Sequence, residues 1–396
     1  LLTNDLPAVA LDHHDFAHTG PGTLAGRYMR RFWQPVCHAH DVAPGRTLPI
    51  RIMSENFTIY RGESGAPHVT TFRCPHRGTQ LSAGWVEGDA LRCYYHGWKY
   101  DATGQCIEQP AEIESFAHKV RIATYPAIEY LGLIFAYLGE GEPPPLPRFP
   151  DFEATPGIYD WDSYDRRCNF FQNLENSLDN SHVGFVHRDH GAAFDGLVDR
   201  PVISVEENEW GISVNVKRTS GAERTTYIGL PNSYYMYALP LLPELGWLKS
   251  LFWWVPIDDE NHRQFVVRKL PLTGEAAEQY RERIAARQAA FDLNHSDLAD
   301  EVLSGRVARD EIDAGRTQLI RFQDDVAQVG QGAIADREHE RLGHSDVGII
   351  YLRKIWAREL KALAEGNPIK QWDHPADMIP TPHRGPGPRP VSESRA

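Results

Sequence analysis

Four residues pose the first chemical question. Cys74 and His76, then Cys93 and His96, form C-x-H and C-x2-H pairs separated by sixteen residues in CPHRGTQLSAGWVEGDALRCYYHGW. Two thiolates and two imidazoles could close a structural zinc site, although zinc sites of this size usually open with cysteines two to four residues apart. Here each half brings one cysteine and one histidine. That suits a [2Fe–2S] cluster in which one iron takes both thiolates and the other both neutral imidazoles, an arrangement that raises the reduction potential. Gly78, Gly84, Gly88 and Gly97 fit two hairpin loop tips where φ > 0 is free and backbone can approach a cluster. Pro75 stiffens its loop.

A second constellation stands in NLENSLDNSHVGFVHRDH, with Asp179, His182 and His187 at D-x2-H-x4-H spacing. Asp179 and His182 share a helix face. His187 lies about 140° round an ideal helix from His182, so both can bind one metal only if the helix bends or ends between them. Gly184 is placed to permit that. Two histidines leave need of an anionic ligand and open positions, the facial triad of oxygen-activating non-haem Fe(II) enzymes. Alone, the same pattern also describes solvated or hydrogen-bonded helix residues.

The two motifs in this order across a linker resemble the Rieske non-haem iron oxygenases, the ring-hydroxylating and O-demethylating oxygenase components. The likeness includes Arg77-Gly78 and Gly97-Trp98 and runs through almost the whole chain. It implies a Rieske [2Fe–2S] cluster on Cys74, His76, Cys93 and His96, and a mononuclear Fe(II) on His182, His187 and a downstream aspartate. LIRFQDDVAQVGQGAIADREHERLGHSDVG looks like the phthalate dioxygenase type, where a Gln-Asp or Glu-Asp pair supplies that ligand, which points to Asp324. Asp325 is the alternative, ahead of Asp336 and Asp346. Being about 100° apart on a helix, one of Asp324 and Asp325 should face solvent.

The resemblance further implies a head-to-tail homotrimer, with Asp179 as the electron-transfer bridge between His182 and the cluster ligand His96 of the partner subunit. A carboxylate accepting from two metal-bound imidazoles is also sound ligand chemistry in its own right. Electrons would come from NAD(P)H through a separate reductase, with or without a ferredoxin, since no glycine-rich dinucleotide fingerprint is evident in the chain. GPGTLAGRYMRRFWQPV, FRCPHRGTQLSAGWVEG and CYYHGWKYDATGQCIEQPAE look most like the group containing the lignin-derived biaryl (5,5'-dehydrodivanillate) O-demethylase. O-demethylation of a methoxylated aromatic acid is therefore the expected reaction. The runner-up is phthalate-type cis-dihydroxylation or monooxygenation. A Rieske electron-transfer protein would need only the first ~145 residues, a single small domain, and a zinc-stabilised binding protein would be colourless.

These ligands need elements to hold them, and 396 residues suggest two or three domains, while 41% hydrophobic residues allow sizeable cores. A net charge of −13 argues against nucleic acid, because phosphate binding needs a basic surface. No apolar run reaches spanning length and the first residues lack a basic n-region, so a cytoplasmic protein is expected. Cys37, Cys106 and Cys168 remain after the cluster pair and read as buried thiols.

The fold class expected is α+β, a small all-β Rieske domain followed by a catalytic domain of antiparallel sheet covered by helices. Residues 1–46 form an N-terminal helical segment, with Pro21-Gly22-Thr23 opening a short helix that carries Leu24, Tyr28 and Phe32 and packs on the Rieske domain. Residues 47–142 read as the Rieske domain, 143–150 (PPPLPRFP) as a connector that can continue neither ladder nor helix, 151–373 as the catalytic iron domain and 374–396 as an extended or disordered tail. Within the catalytic part, 166–190 reads as a helix, 201–270 as strands, and 275–295 and 308–365 as mainly helical. Eight aromatic residues between 227 and 254 offer walls for a flat substrate, and Arg218 or Arg224 could meet its carboxylate. Glu175, Asn176 and His190 are further polar residues near the second motif.

Overall fold

β-Branched and aromatic runs separated by glycine turns pair into three small antiparallel sheets in the first third of the chain. In the computed structural model, which describes residues 12–188, 200–219, 221, 223–238, 242 and 245–381, one sheet joins Thr47–Ile52, Glu55–Arg61, Pro67–Thr71 and Thr124–Tyr125 in that order. A second joins Trp85–Glu87, Ala90–Arg92, Lys99–Tyr100 and Cys106–Glu108. The third sets Leu133–Ala136 between Gln34–His38 and Ala127–Tyr130. The N-terminal segment therefore supplies a strand as well as a helix.

That helix, Leu24–Met29, is capped by Thr23, whose side chain accepts from Gly26 N. It packs on more than the strands after it. Tyr28 meets Trp356 of helix Val347–Ala364 edge-on at 5.0 Å and accepts a hydrogen bond from Trp372 Nε1. Phe32 lies beyond the helix end, yet buried.

The larger sheet has seven antiparallel strands, ordered Ile158–Arg166, His262–Leu270, Leu248–Pro256, Ser233–Ala238, Glu223–Gly229, Gly211–Lys217, Val202–Glu207. The two hairpins legible from pattern, 202–217 and 248–270, pair as expected. The edge strand Ile158–Arg166 corrects the single helix read over 166–190. Arg166 ends a strand, and two short helices come after it, Phe170–Asn176 and His182–Val186. Asn169 caps the first by accepting from Phe171 N at 3.1 Å. Phe170 and Phe171 bury themselves against Trp356 at 5.9 and 5.1 Å.

Helix Leu319–Val329 lies beside His295–Leu303 and both short helices. Gly274–Ala289 and Val347–Ala364 complete the helical cover. All five cysteines are free and buried. Among the described residues no helix is long and apolar enough to cross a membrane. Most of the tail, residues 382–396, and His190 lie outside the described residues.

Candidate metal centres

Cys74–Gly78 and Cys93–Gly97 are wound alike. In each loop the glycine N–H donates to the cysteine carbonyl, Gly78 to Cys74 at 2.9 Å and Gly97 to Cys93 at 3.1 Å. Both glycines have φ above +70°, which side chains rarely adopt. Gly84 serves differently from its expected role, with φ −86°, and a Cβ there would lie 2.1 Å from Arg92 O. Backbone bonds close each loop at its base, with Cys93 N donating to Trp98 O at 2.8 Å between strands Ala90–Arg92 and Lys99–Tyr100, and Cys74 N to Thr79 O at 2.9 Å beside the bridge of Arg73 and Gln80.

This winding brings the four candidate ligands together. Both thiols are buried, and Cys74 Sγ lies 3.1 Å from Tyr100 Oη. Burial pushes the Cys74 thiol up, so thiolate there needs a counter-charge such as a metal. The His76 and His96 rings stand 4.4 Å apart at 61°. His76 Nδ1 is buried without a hydrogen-bond partner. Partial burial, with His76 and Arg77 nearby, holds His96 below its ordinary value, toward the neutral imidazole that ligates. A buried orphan imidazole nitrogen beside two buried thiols fits a cluster with mixed ligation.

The second centre forms where His182–Val186 meets Leu319–Val329. Ligand atoms of His182, His187 and Asp324 all lie within 4.8 Å of one another. The helix ends between the two histidines, as their spacing requires, but at Val186 and not at Gly184: His187 is its C-cap residue with φ −101° and ψ 15°, a turn that brings the two imidazoles to 5.6 Å. His187 Nδ1 is held at 3.0 Å by Gln323 Oε1, which leaves Nε2 facing Asp324 Oδ1 at 3.4 Å. Sequence reasoning misses Gln323 as a functional residue, although it precedes the ligand candidate directly. His182 Nδ1, buried and unpartnered, faces Asp179 Oδ2 at 3.8 Å, while Asp179 Oδ1 accepts from the backbone of Ser181 and His182.

Electrostatics favour a cation here. Burial lowers His182, keeping it neutral. Burial alone would raise Asp324, but His187 outweighs it and holds the carboxyl below the ordinary range. Burial alone would lower His187, but Asp324 and Gln323 outweigh it and raise it, so a metal there displaces a proton. Two imidazoles and one carboxylate with room beside them fit a divalent iron of the facial type.

Asp325 does not face solvent. It is fully buried, with Oδ1 accepting from Arg166 Nε at 2.6 Å and Oδ2 lying 2.6 Å from His295 Nδ1 and 3.1 Å from Ser296 Oγ. Arg166 in turn reaches Asn173, Gln328 and Tyr164. The helix is covered on both flanks, so its neighbouring aspartates serve two buried partners. Asp336 is exposed beside His339, and Asp346 accepts from Gly343 N. Glu175 pairs with Arg337 and Arg353, tying its helix to the C-terminal one rather than touching the triad.

A cavity of about 330 Å³ opens onto Asp179, His182, His187 and Asp324. Strand alternation sorts the aromatic residues. Tyr234, Phe252 and Trp254, with Trp247, line the cavity, whereas Tyr235 and Trp253 turn to the other face and pack on Phe149. Tyr227 and Tyr237 do not line it. Asn176, Arg218 and Arg224 do, and both arginines donate to Asn180. Arg321 and Arg268 in the same walls pair with Asp162 and Asp160. Arg224 has no carboxylate partner among the described residues, and burial pulls its pKa below the ordinary guanidinium value.

Known proteins share this design. A family model for the Rieske [2Fe-2S] domain matches residues 32–126. The chain is 31% identical over 379 residues to the 5,5'-dehydrodivanillate O-demethylase oxygenase subunit of Sphingobium sp., covering 89% of this chain and 81% of that one. It is 28% identical to the 3-chlorobenzoate-3,4-dioxygenase oxygenase subunit of Comamonas testosteroni, over 96% and 94% of the two chains. Among solved structures, the reduced complex between oxygenase and ferredoxin in carbazole 1,9a-dioxygenase matches with a TM-score of 0.64 at 20% identity, covering 90% of this chain and 95% of that one, which shows the fold. Proteins of this kind carry a Rieske [2Fe–2S] cluster and a mononuclear iron and draw on NAD(P)H through partner proteins. With its sheets, its two clusters of ligand side chains and its full-length relatives, the chain belongs to the Rieske non-haem iron oxygenases, as the oxygenase subunit of such an enzyme.

Proposed function

We propose that the protein O-demethylates a methoxylated aromatic acid, with Cys74, His76, Cys93 and His96 holding the cluster and His182, His187 and Asp324 the mononuclear iron. The observation that carries this reading is one cavity joining the triad, aromatic walls and a partly buried arginine without a carboxylate partner among the described residues. When bound, the cluster relays single electrons and the Fe(II) activates O2. Overall, O2, two electrons and two protons convert the methoxyarene into phenol, formaldehyde and water.

The chain's own residues do the positioning. Gln323 accepts the Nδ1–H of His187 and so leaves Nε2 for the metal. Tyr234, Phe252 and Trp254 stack a flat ring and exclude water, while Arg224 neutralises its carboxylate. Asp179 is the bridge to the cluster of the next subunit in a head-to-tail homotrimer. Its carboxylate already faces the free nitrogen of His182. A reductase, with or without a ferredoxin, would feed the cluster from NAD(P)H in the cytoplasm. We take residues 47–142 and 151–373 as the cluster-bearing and iron-bearing units, joined by 143–150.

Asp179→Asn should keep both metals and slow electron transfer between them; unchanged single-turnover rates would dispose of the bridge. Arg224→Met should lose a charge-assisted hydrogen bond of about 1.5–3 kcal/mol, or roughly 10- to 150-fold in kcat/KM, for methoxylated acids but not for their neutral methyl esters. An equal loss on both would make Arg224 a clamp for Asn180 and remove the case for an acid. The test of the whole reading is turnover with a surrogate reductase on methoxylated and unsubstituted aromatic acids, with formaldehyde assayed. Formaldehyde released one to one with substrate is expected. A cis-diol without formaldehyde would favour ring dihydroxylation, the second reading, which the likeness to the 3-chlorobenzoate-3,4-dioxygenase subunit supports.

A further inference from the structure

Trp98, beside the cluster loops, is a large buried side chain whose polar atom has nothing to do. It is 5% exposed and packs in the core that contains both Cys74 and Cys93. Its ring lies flat on His76, 4.5 Å between centroids and 2° between planes, with Phe116 edge-on at 5.5 Å on the indole. Its backbone carbonyl closes the second loop by accepting from Cys93 N. Yet Nε1 is buried and makes no hydrogen bond. A buried indole N–H without an acceptor is costly, because folding strips its water and returns nothing. Packing alone would have been served by phenylalanine.

Given the assignment of the cluster to these two loops, we propose that Trp98 sets the cluster's reduction potential, its ring fixing the plane of His76 and its N–H being the donor held for a cluster sulfur. Hydrogen bonds to sulfur are among the factors that set iron–sulfur potentials. Such a bond strengthens as its acceptor gains negative charge on reduction, so it favours the reduced state. The parallel stack adds a second constraint, since a ring clamped on one face cannot rotate out of the plane its metal requires.

The test is redox titration of the intact chain carrying Trp98→Phe, which keeps an aromatic ring on His76 and removes only the donor. The cluster's visible spectrum and iron content should be retained and the midpoint potential should fall. A potential equal to that of the wild type overturns the proposal, since a merely packing residue would change stability without moving it. Should the variant fail to assemble, the wild-type chain grown with 15N-tryptophan provides the second readout. Pulsed electron resonance of the reduced cluster should then show a hyperfine coupling to an indole nitrogen, and its absence overturns the proposal. A wild-type chain that takes up no cluster at all would instead overturn the ligand assignment on which the proposal rests.

Discussion

Replacing His187 with alanine removes the mononuclear iron and abolishes turnover while leaving the cluster spectrum intact. His187 is almost fully buried and is the one imidazole of the triad braced from behind, by Gln323, and paired in front, with Asp324. Its loss leaves two protein ligands where an iron needs three, and strands Asp324 in a buried site that pushes its carboxyl up once the imidazole no longer offsets burial. Losing only an outer hydrogen-bonding partner of a ligand typically costs about 10- to 100-fold in metal affinity, so losing the ligand itself should exceed about 100-fold. The cluster loops share no ligand with this site. Iron content and the visible spectrum of the purified variant check both halves; disappearance of both centres together would contradict two independent sites.

Asp325→Ala is expected to destabilise the protein by about 3–5 kcal/mol, because it leaves Arg166 charged and buried without its hydrogen-bonded carboxylate partner. At about 2 °C per kcal/mol for a large domain, that is a fall of roughly 6–10 °C in melting temperature. Arg166→Met combined with Asp325→Ala should recover part of the loss, since removing both charges is cheaper than stranding one. The pair also has a pH signature. Burial alone would raise Asp325, but Arg166 and His295 outweigh it and hold the carboxyl below its ordinary value. A depressed folded-state pKa gives stability that is fully present above the unfolded carboxylate value of about 3.9 and is lost as pH falls below it. The wild type should therefore shed this contribution only in strong acid, and the variant should show less of that acid-dependent loss. A melting temperature within a degree of the wild type would refute the pairing.

The two sites are not equally legible in the sequence. The cluster ligands fall within one short stretch, so spacing alone can state their chemistry, and Gly78 and Gly97 mark the loops that wind around it. The iron triad draws its third member from a distant helix, and only resemblance to a family can single out Asp324. Helical periodicity then misleads at the next residue. It assigns faces but cannot tell that helix Leu319–Val329 is enclosed on both flanks, so it places Asp325 in water where the fold puts it in a buried ion-pair network. A single helix over 166–190 overlooks the segment's own punctuation. Asn169 is a cap signal, and Ser177, Asp179, Asn180 and Ser181 form a run of turn-forming side chains. Arg166 and Gln323 escape notice because nothing in composition distinguishes a buried polar residue from a surface one. Hairpins are readable because the pleat has a fixed period of two, whereas counting all eight aromatic residues as walls overlooks that same period, which turns Tyr235 and Trp253 away from the cavity.

Iron analysis of the anaerobically purified chain tests the central claim most directly. The account predicts about three iron atoms per chain, two in a red-brown, dithionite-bleachable cluster and one that a mild chelator removes while the colour persists. A chain containing zinc, or one whose iron all leaves or stays together with the cluster colour, would contradict it.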